Sequence, residues 1–124
     1  MIDFKNGAVF KLKKDPSARI GDIEKILVPG ETVLGSYTAV RDYVVFTDKR
    51  VISVNVQGMT GKKKDFTSLP YSKISAFSIE TSGVFDLDSE LEMYFSGLGK
   101  VHFDFSGDCD IEAIGKAIGI YTLK

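Results

Sequence analysis

Between Glu31 and Ser106, apolar residues recur at every second position in segments of strand length, separated by glycine, proline or charged turns. Ile52, Val54 and Val56 share one face of such a segment, and Ser53, Asn55 and Gln57 share the other. Phe77 with Ile79, Leu91 with Met93 and Phe95, and Val101 with Phe103 and Phe105 repeat the alternation. The period predicts seven strands, near residues 33–40, 42–47, 50–57, 64–69, 73–81, 89–96 and 100–106. It assigns Ile52, Val54, Phe77, Ile79, Leu91, Phe103 and Phe105 to the core and leaves Asn55, Glu90, Glu92 and Asp104 exposed. Turn signals about every ten residues, with no helical insertion, favour a small antiparallel barrel or sandwich over a parallel α/β sheet.

The segments flanking the strands switch to helical spacing. Asp15-Pro16 provides an N-cap followed by proline at the first helical position, and Ile20, Ile23 and Leu27 then recur before Pro29-Gly30, which predicts a short helix over 16–27. Upstream, Lys11, Lys13 and Lys14 surround Leu12, a pattern that reads as a solvated arm rather than a membrane-binding patch. At the other end Ile111, Ile114, Ile118 and Tyr121 form one stripe, with Asp108, Asp110 and Glu112 crowding the first turn. This amphipathic helix must cover the open mouth of the barrel, and Gly115 and Gly119 suit a close approach to a strand. The expected organisation is a single domain, with an arm and short helix over 1–30 and the barrel over 31–124.

The hairpin Tyr43–Val54 is the most informative stretch. Val44, Val45, Val51 and Ile52 favour extended chain, and Asp48 suits the turn because its carboxylate can accept a backbone bond two residues on. Arg50 follows the turn on the face of Ile52, at the rim of the core, where its guanidinium must find a carboxylate or carbonyls. A structural ion pair pinning the hairpin is favoured there over a binding role.

Four features in order now give a family resemblance: Thr47-Asp48-Lys49-Arg50-Val51-Ile52; Gly58 and Gly61; Pro70-Tyr71-Ser72-Lys73-Ile74; and Glu80-Thr81-Ser82-Gly83 leading to Phe85-Asp86-Leu87-Asp88. Together they resemble the bacterial pleckstrin-homology domain family, over roughly Glu31 to Tyr121. The resemblance implies a mainly β fold, a seven-stranded barrel of two orthogonal sheets capped by a carboxy-terminal helix. It also implies assembly into cyclic rings, five-fold where no further helix follows the cap, and a protein-binding role without catalysis. Lipid-binding eukaryotic relatives concentrate basic residues in the first hairpin loop. Here that turn, Val40-Arg41-Asp42-Tyr43, is tight and its one arginine adjoins an acid.

Composition narrows the function classes. The 124 residues carry 16 Lys+Arg and 17 Asp+Glu, a net charge of −1, so no global field draws the chain to nucleic acid or an anionic membrane. Cys109 is the single cysteine, and no apolar run reaches the length of a signal peptide or membrane span, so a cytoplasmic location is expected. Gly58–Lys64 fails as a phosphate loop: Val56 stands where glycine is required, Lys63 where Ser or Thr is, and a strand follows instead of a helix. Lys62, Lys63 and Lys64 still offer an alternative anion or phosphoinositide patch.

Asp86, Asp88 and Glu90 share a face at period two but lack the ligand number and loop glycine of a calcium site, and read as an acidic surface for a basic partner. His102, the single histidine, faces away from the core, and neither a zinc site nor a Cys-His dyad is assembled from sequence. Cys109 precedes a helix that could lower its pKa, yet reads as a packing residue. The expected protein has no cofactor and no metal. It forms a ring, with Glu80, Asp86, Asp88, Glu90 and Arg50 lining a surface that binds an unidentified protein.

Overall fold

The computed structural model describes residues 1–5, 11–15, 20–85, 87–107 and 109–123, with Ile20 described by its backbone. In chain order the elements are β1 (Lys11–Lys14), α1 (Ile20–Glu24), β2 (Val33–Ala39), β3 (Asp42–Thr47), β4 (Arg50–Gln57), β5 (Lys63–Pro70), a 3-10 turn (Tyr71–Lys73), β6 (Ile74–Glu80), β7 (Ser89–Phe95), β8 (Gly99–Phe105) and α2 (Ile111–Thr122). The strands form one eight-stranded sheet in the order β5-β4-β3-β2-β1-β8-β7-β6. Seven of them match the expected strands to within a residue or so at each end.

The eighth is β1, which replaces the solvated arm expected around Leu12. It pairs antiparallel with β2 and parallel with β8, and so joins two antiparallel meanders into one sheet. Leu12 is fully buried between its exposed lysine neighbours. One apolar residue in four gives no alternation to detect, which is why the strand was invisible to pattern. The expectation of seven wholly antiparallel strands is corrected accordingly. Of the expected helix over 16–27, residues 16–19 lie outside the described residues; Ile20–Glu24 is helical, and Ile26 and Leu27 still donate backbone bonds to the Ile23 carbonyl. Pro16, expected at its first helical position after the Asp15 cap, lies outside the described residues, as does Asp108 of the second helix.

β3 and β4 are buried on both faces. Val44, Phe46, Val51 and Leu69 point into the main core with Leu91, Met93, Phe103 and Phe105. Tyr43, Val45, Ile52 and Val54 face the other way and close a second core around Ile23, flanked by Ile26, Leu27 and Phe66. Strands covered on both sides read as continuous apolar runs, as Val44-Val45-Phe46 and Val51-Ile52 do. Ile52 and Val54 are therefore buried as expected, but beneath α1 and not in the barrel.

Arg50 stands at the edge of this second core. Its Nε donates to Glu31 Oε2 and its Nη2 to Glu31 Oε1, each at 2.9 Å. Nη2 also donates to the Ile26 carbonyl and Nη1 to Ser68 Oγ, each at 2.8 Å. The Glu31 side chain is 0% exposed and accepts further bonds from Thr47 Oγ1 and the Val28 amide. Burial alone would raise the Glu31 pKa, but the bonds from Arg50, Thr47 and Val28 outweigh it and hold the group at about 2. The turn itself differs from expectation. Thr47 Oγ1, not Asp48, accepts the amides of Lys49 and Arg50, while Asp48 accepts from Thr32.

α2 covers the main core with Ile111, Ile114 and Ile118, and Asp110 caps it by accepting from the Ala113 amide. A Cβ on Gly115 would stand 3.0 Å from two Ile79 carbons, so the glycine permits the close approach to β6. Phe77 and Ile79, expected to be buried, are only partly so, because β6 is an edge strand that α2 covers incompletely. Asn55, Glu90, Glu92 and Asp104, expected to be exposed, are half-buried by their neighbours on the sheet surface.

Arg50→Ala strands the Glu31 carboxylate in a dry site and is expected to cost about 3–5 kcal/mol in urea unfolding. A loss below about 1 kcal/mol would match an exposed surface pair instead. The Glu31 pKa is depressed from 4.5, so its contribution is present above pH 4.5 and is lost as pH falls through about 2. Acid titration of Arg50→Ala should lack that loss.

Candidate functional site

The second meander, β6-β7-β8, divides its side chains cleanly between faces. Leu91, Met93, Phe95, Val101, Phe103 and Phe105 are buried inward. Glu90, Glu92, His102 and Asp104 therefore point outward, because successive residues of a strand alternate. The register sets Glu80 opposite Glu90 and Glu90 opposite Asp104, and in the neighbouring row Ser78 opposite Glu92 and Glu92 opposite His102.

His102 is the centre of this surface. Its Nε2 lies 2.7 Å from Asp104 Oδ1 and 3.7 Å from Glu90 Oε1, and its Nδ1 lies 3.3 Å from Glu92 Oε2. Glu92 Oε2 is also 3.1 Å from Lys100 Nζ. Partial burial draws the imidazole pKa down, but bonds to Asp104 and Glu92 outweigh it and raise the pKa above its usual 6.5. Lys100, then His102, holds the Glu92 carboxyl low. Glu90 is pushed up to about 7, chiefly by its hydrogen bond with Glu80, a like-charged cross-strand neighbour.

Of the residues expected to form an acidic surface, Glu80 and Glu90 are brought together. Asp88 pairs with Lys11 Nζ at 3.0 Å, tying the approach to β7 onto β1. Asp86 lies outside the described residues. Arg50 does not join them: it lies on β4, across β3, β2 and β1 from this half of the sheet, with its guanidinium engaged by Glu31. In the lysine patch, Lys62 and Lys63 are exposed, whereas Lys64 is 3.2 Å from Asp22. Gly58 and Gly61 turn the chain there with φ of 78° and 68°, and the Gly58 carbonyl accepts a bond from Arg41.

Cys109 borders a cleft of 290 Å³ between α2 and β2–β3, lined also by Lys14, Tyr37, Phe46, Ile114 and Ala117. The helix start does not lower its pKa as its position suggested. Burial pushes the thiol up, which makes it a poor nucleophile at neutral pH. The residues that sequence reasoning missed are Glu92, Lys100, His102 and Asp104 as a group. Their signal was present in outward positions on two adjacent strands, but only register converts that into contact.

A family profile described as "Bacterial PH domain" matches residues 3–122. YjqA of Bacillus subtilis (strain 168) is 50% identical over 99 residues, covering 78% of this chain and 79% of that protein. YozO of the same organism is 30% identical over 106 residues, covering 86% and 90%. Among solved structures, a DUF1696 family protein with a pleckstrin-homology domain from Shewanella loihica PV-4 is 31% identical with a TM-score of 0.78, over 91% of this chain and 98% of that one. A pleckstrin homology domain from Shewanella amazonensis SB2B is 38% identical with a TM-score of 0.64, over 84% and 85%.

The raised pKa values of Glu90 and His102 act in one direction. Each group holds a proton in the folded chain that the unfolded chain releases, so its contribution is present below pH 4.5 for Glu90 and 6.5 for His102. That contribution is lost as pH rises through the folded values, about 7 for Glu90. Thermal unfolding followed across this range should show Glu90→Gln gaining on the parent as pH rises. Equal melting shifts at about pH 4 and about pH 8 would contradict it.

Proposed function

Because this chain belongs to the bacterial PH domain family, we propose that it is a non-catalytic module that assembles into a closed ring, five-fold in symmetry, and presents a repeated acidic surface to a basic protein segment. The observation that carries the reading is the sheet's two unlike ends, β5 at one edge and β6 at the other. An edge strand offers unpaired amides and carbonyls to another chain. A contact between two different edges is head-to-tail, and closes into a ring when its rotation divides the circle.

β6 carries Glu80 beside Glu90, so such a ring would repeat these carboxylates, with Asp88 close in sequence, once per subunit. Weak single contacts with a basic segment then add through avidity. Absence of catalysis fits the chemistry of these side chains. His102 is surrounded by carboxylates and Cys109 is held as a thiol, so no nucleophile stands beside a base among the described residues. The alternative reading, a phosphoinositide-binding module using Lys62, Lys63 and Lys64, is weakened by the engagement of Lys64 with Asp22.

Native mass spectrometry at micromolar concentration is expected to show a closed oligomer, and a monomer or simple dimer would refute the ring. Paired charge reversal, Asp86→Lys with Asp88→Lys, should abolish capture of a basic partner while leaving the ring intact. Saturable binding to phosphoinositide vesicles, lost on replacing Lys62 and Lys63 with alanine, would instead favour the lipid reading.

A further inference from the structure

One donor atom each from Glu90, His102 and Asp104 lies within 4.8 Å of the other two. Asp104 Oδ1 and Glu90 Oε1 approach the same nitrogen, His102 Nε2, at 2.7 and 3.7 Å. Tetrahedral ligands about 2.1 Å from an ion stand roughly 3.4 Å from one another. Rotation of the two carboxylates about their side-chain bonds covers the difference. The backbone beneath is fixed, since Glu90 faces Asp104 across the β7–β8 ladder and His102 shares the outward face of β8 with Asp104.

The surroundings of these three groups are those of a ligand set. A metal-binding imidazole commonly gives its second nitrogen to a carboxylate, which fixes ring orientation and tautomer. Glu92 Oε2 stands 3.3 Å from His102 Nδ1 and is itself held by Lys100, leaving Nε2 as the nitrogen that faces Asp104 and Glu90. Glu92 lies outside the donor set, on the same rigid face.

We propose that Glu90, His102 and Asp104 bind a divalent transition-metal ion of the Zn²⁺ class through one imidazole nitrogen and two carboxylate oxygens, with a coordination position left open to solvent. The mixed nitrogen and oxygen set selects against Ca²⁺ and Mg²⁺, which take oxygen ligands, and the lack of thiolate selects against Cu(I). The ion would neutralise carboxylates that otherwise crowd one another across three strands. This inference goes beyond the interaction module and does not require the ring.

The test uses the untagged full chain, stripped of metal, titrated with Zn²⁺ against a chromophoric chelator and weighed by native mass spectrometry. One ion per chain is expected, whatever the oligomeric state. His102→Ala and Asp104→Asn should each weaken binding by more than about tenfold, and Glu92→Gln by about tenfold, with circular dichroism unchanged. Asp88→Asn and Cys109→Ser should bind as the parent does. Parent affinity no greater than that of His102→Ala, or loss of binding in Cys109→Ser or Asp88→Asn, would overturn the site.

Discussion

The bidentate pair between Arg50 and Glu31 is the constraint on which the rest of the structure depends. Among the described residues α1 offers little helix of its own, Ile20–Glu24, and its place depends on packing. It must nevertheless cover Tyr43, Val45, Ile52 and Val54, which would otherwise form an apolar face on the outside of the sheet. Arg50 resolves this by binding Glu31 and the Ile26 carbonyl together, so that the segment after α1 is clamped across the second core. The same Glu31 carboxylate accepts from Thr47, whose hydroxyl also closes the β3–β4 turn, and Tyr71 reaches the Thr47 carbonyl at 2.7 Å. One buried carboxylate thus links the helix, the central hairpin and, through Tyr71, the ring stacked on Tyr121 of α2.

That clamp divides the sheet into two unlike halves. Val44–Phe46 of β3 and Val51–Val54 of β4 are buried on both faces, which leaves the middle of these strands no outward position for chemistry. β7 and β8 are dry on one face only. Their inward residues, fully buried, fix the strands in register, and the outward residues then stand at separations that the ladder dictates. The carboxylates and imidazole of the second half are held by the packing beneath them rather than by a loop, and such a surface is stiff enough for a few tenths of an ångström to matter.

The sequence was legible where a period ran long enough to be counted. β3 and β4 fall at the expected residues, and the buried stripe of α2 is the expected one, because alternation and helical spacing extend over whole elements there. β1 was not legible: Leu12 is one apolar residue among lysines, and its burial comes from β2 and β8, both distant in sequence. Arg50 could be recognised as needing a partner, but Glu31 is supplied by tertiary packing. The acidic surface was half legible. Period two correctly placed Glu90 outward, but no single strand reveals that Glu80, His102 and Asp104 converge on it, since that requires pairing two hairpins in register.

A sheet surface that sets Glu80 against Glu90, and Glu90 against Asp104, carries repulsion that pairing with Lys100 and His102 only partly offsets. At low pH protons relieve it, as the raised pKa values of Glu90 and His102 register. As pH rises past the folded pKa values a bound cation would do so, and the proposed metal ion and basic protein segment would draw on the same oxygens. Two ligands that compete for Glu90 must each weaken the other by the same factor, because coupling between binding events is reciprocal. A metal at His102 would accordingly set how acidic a face the module offers its partner. In the proposed ring that face would be repeated once per subunit, so a modest change in charge at each copy would multiply into a large change in avidity.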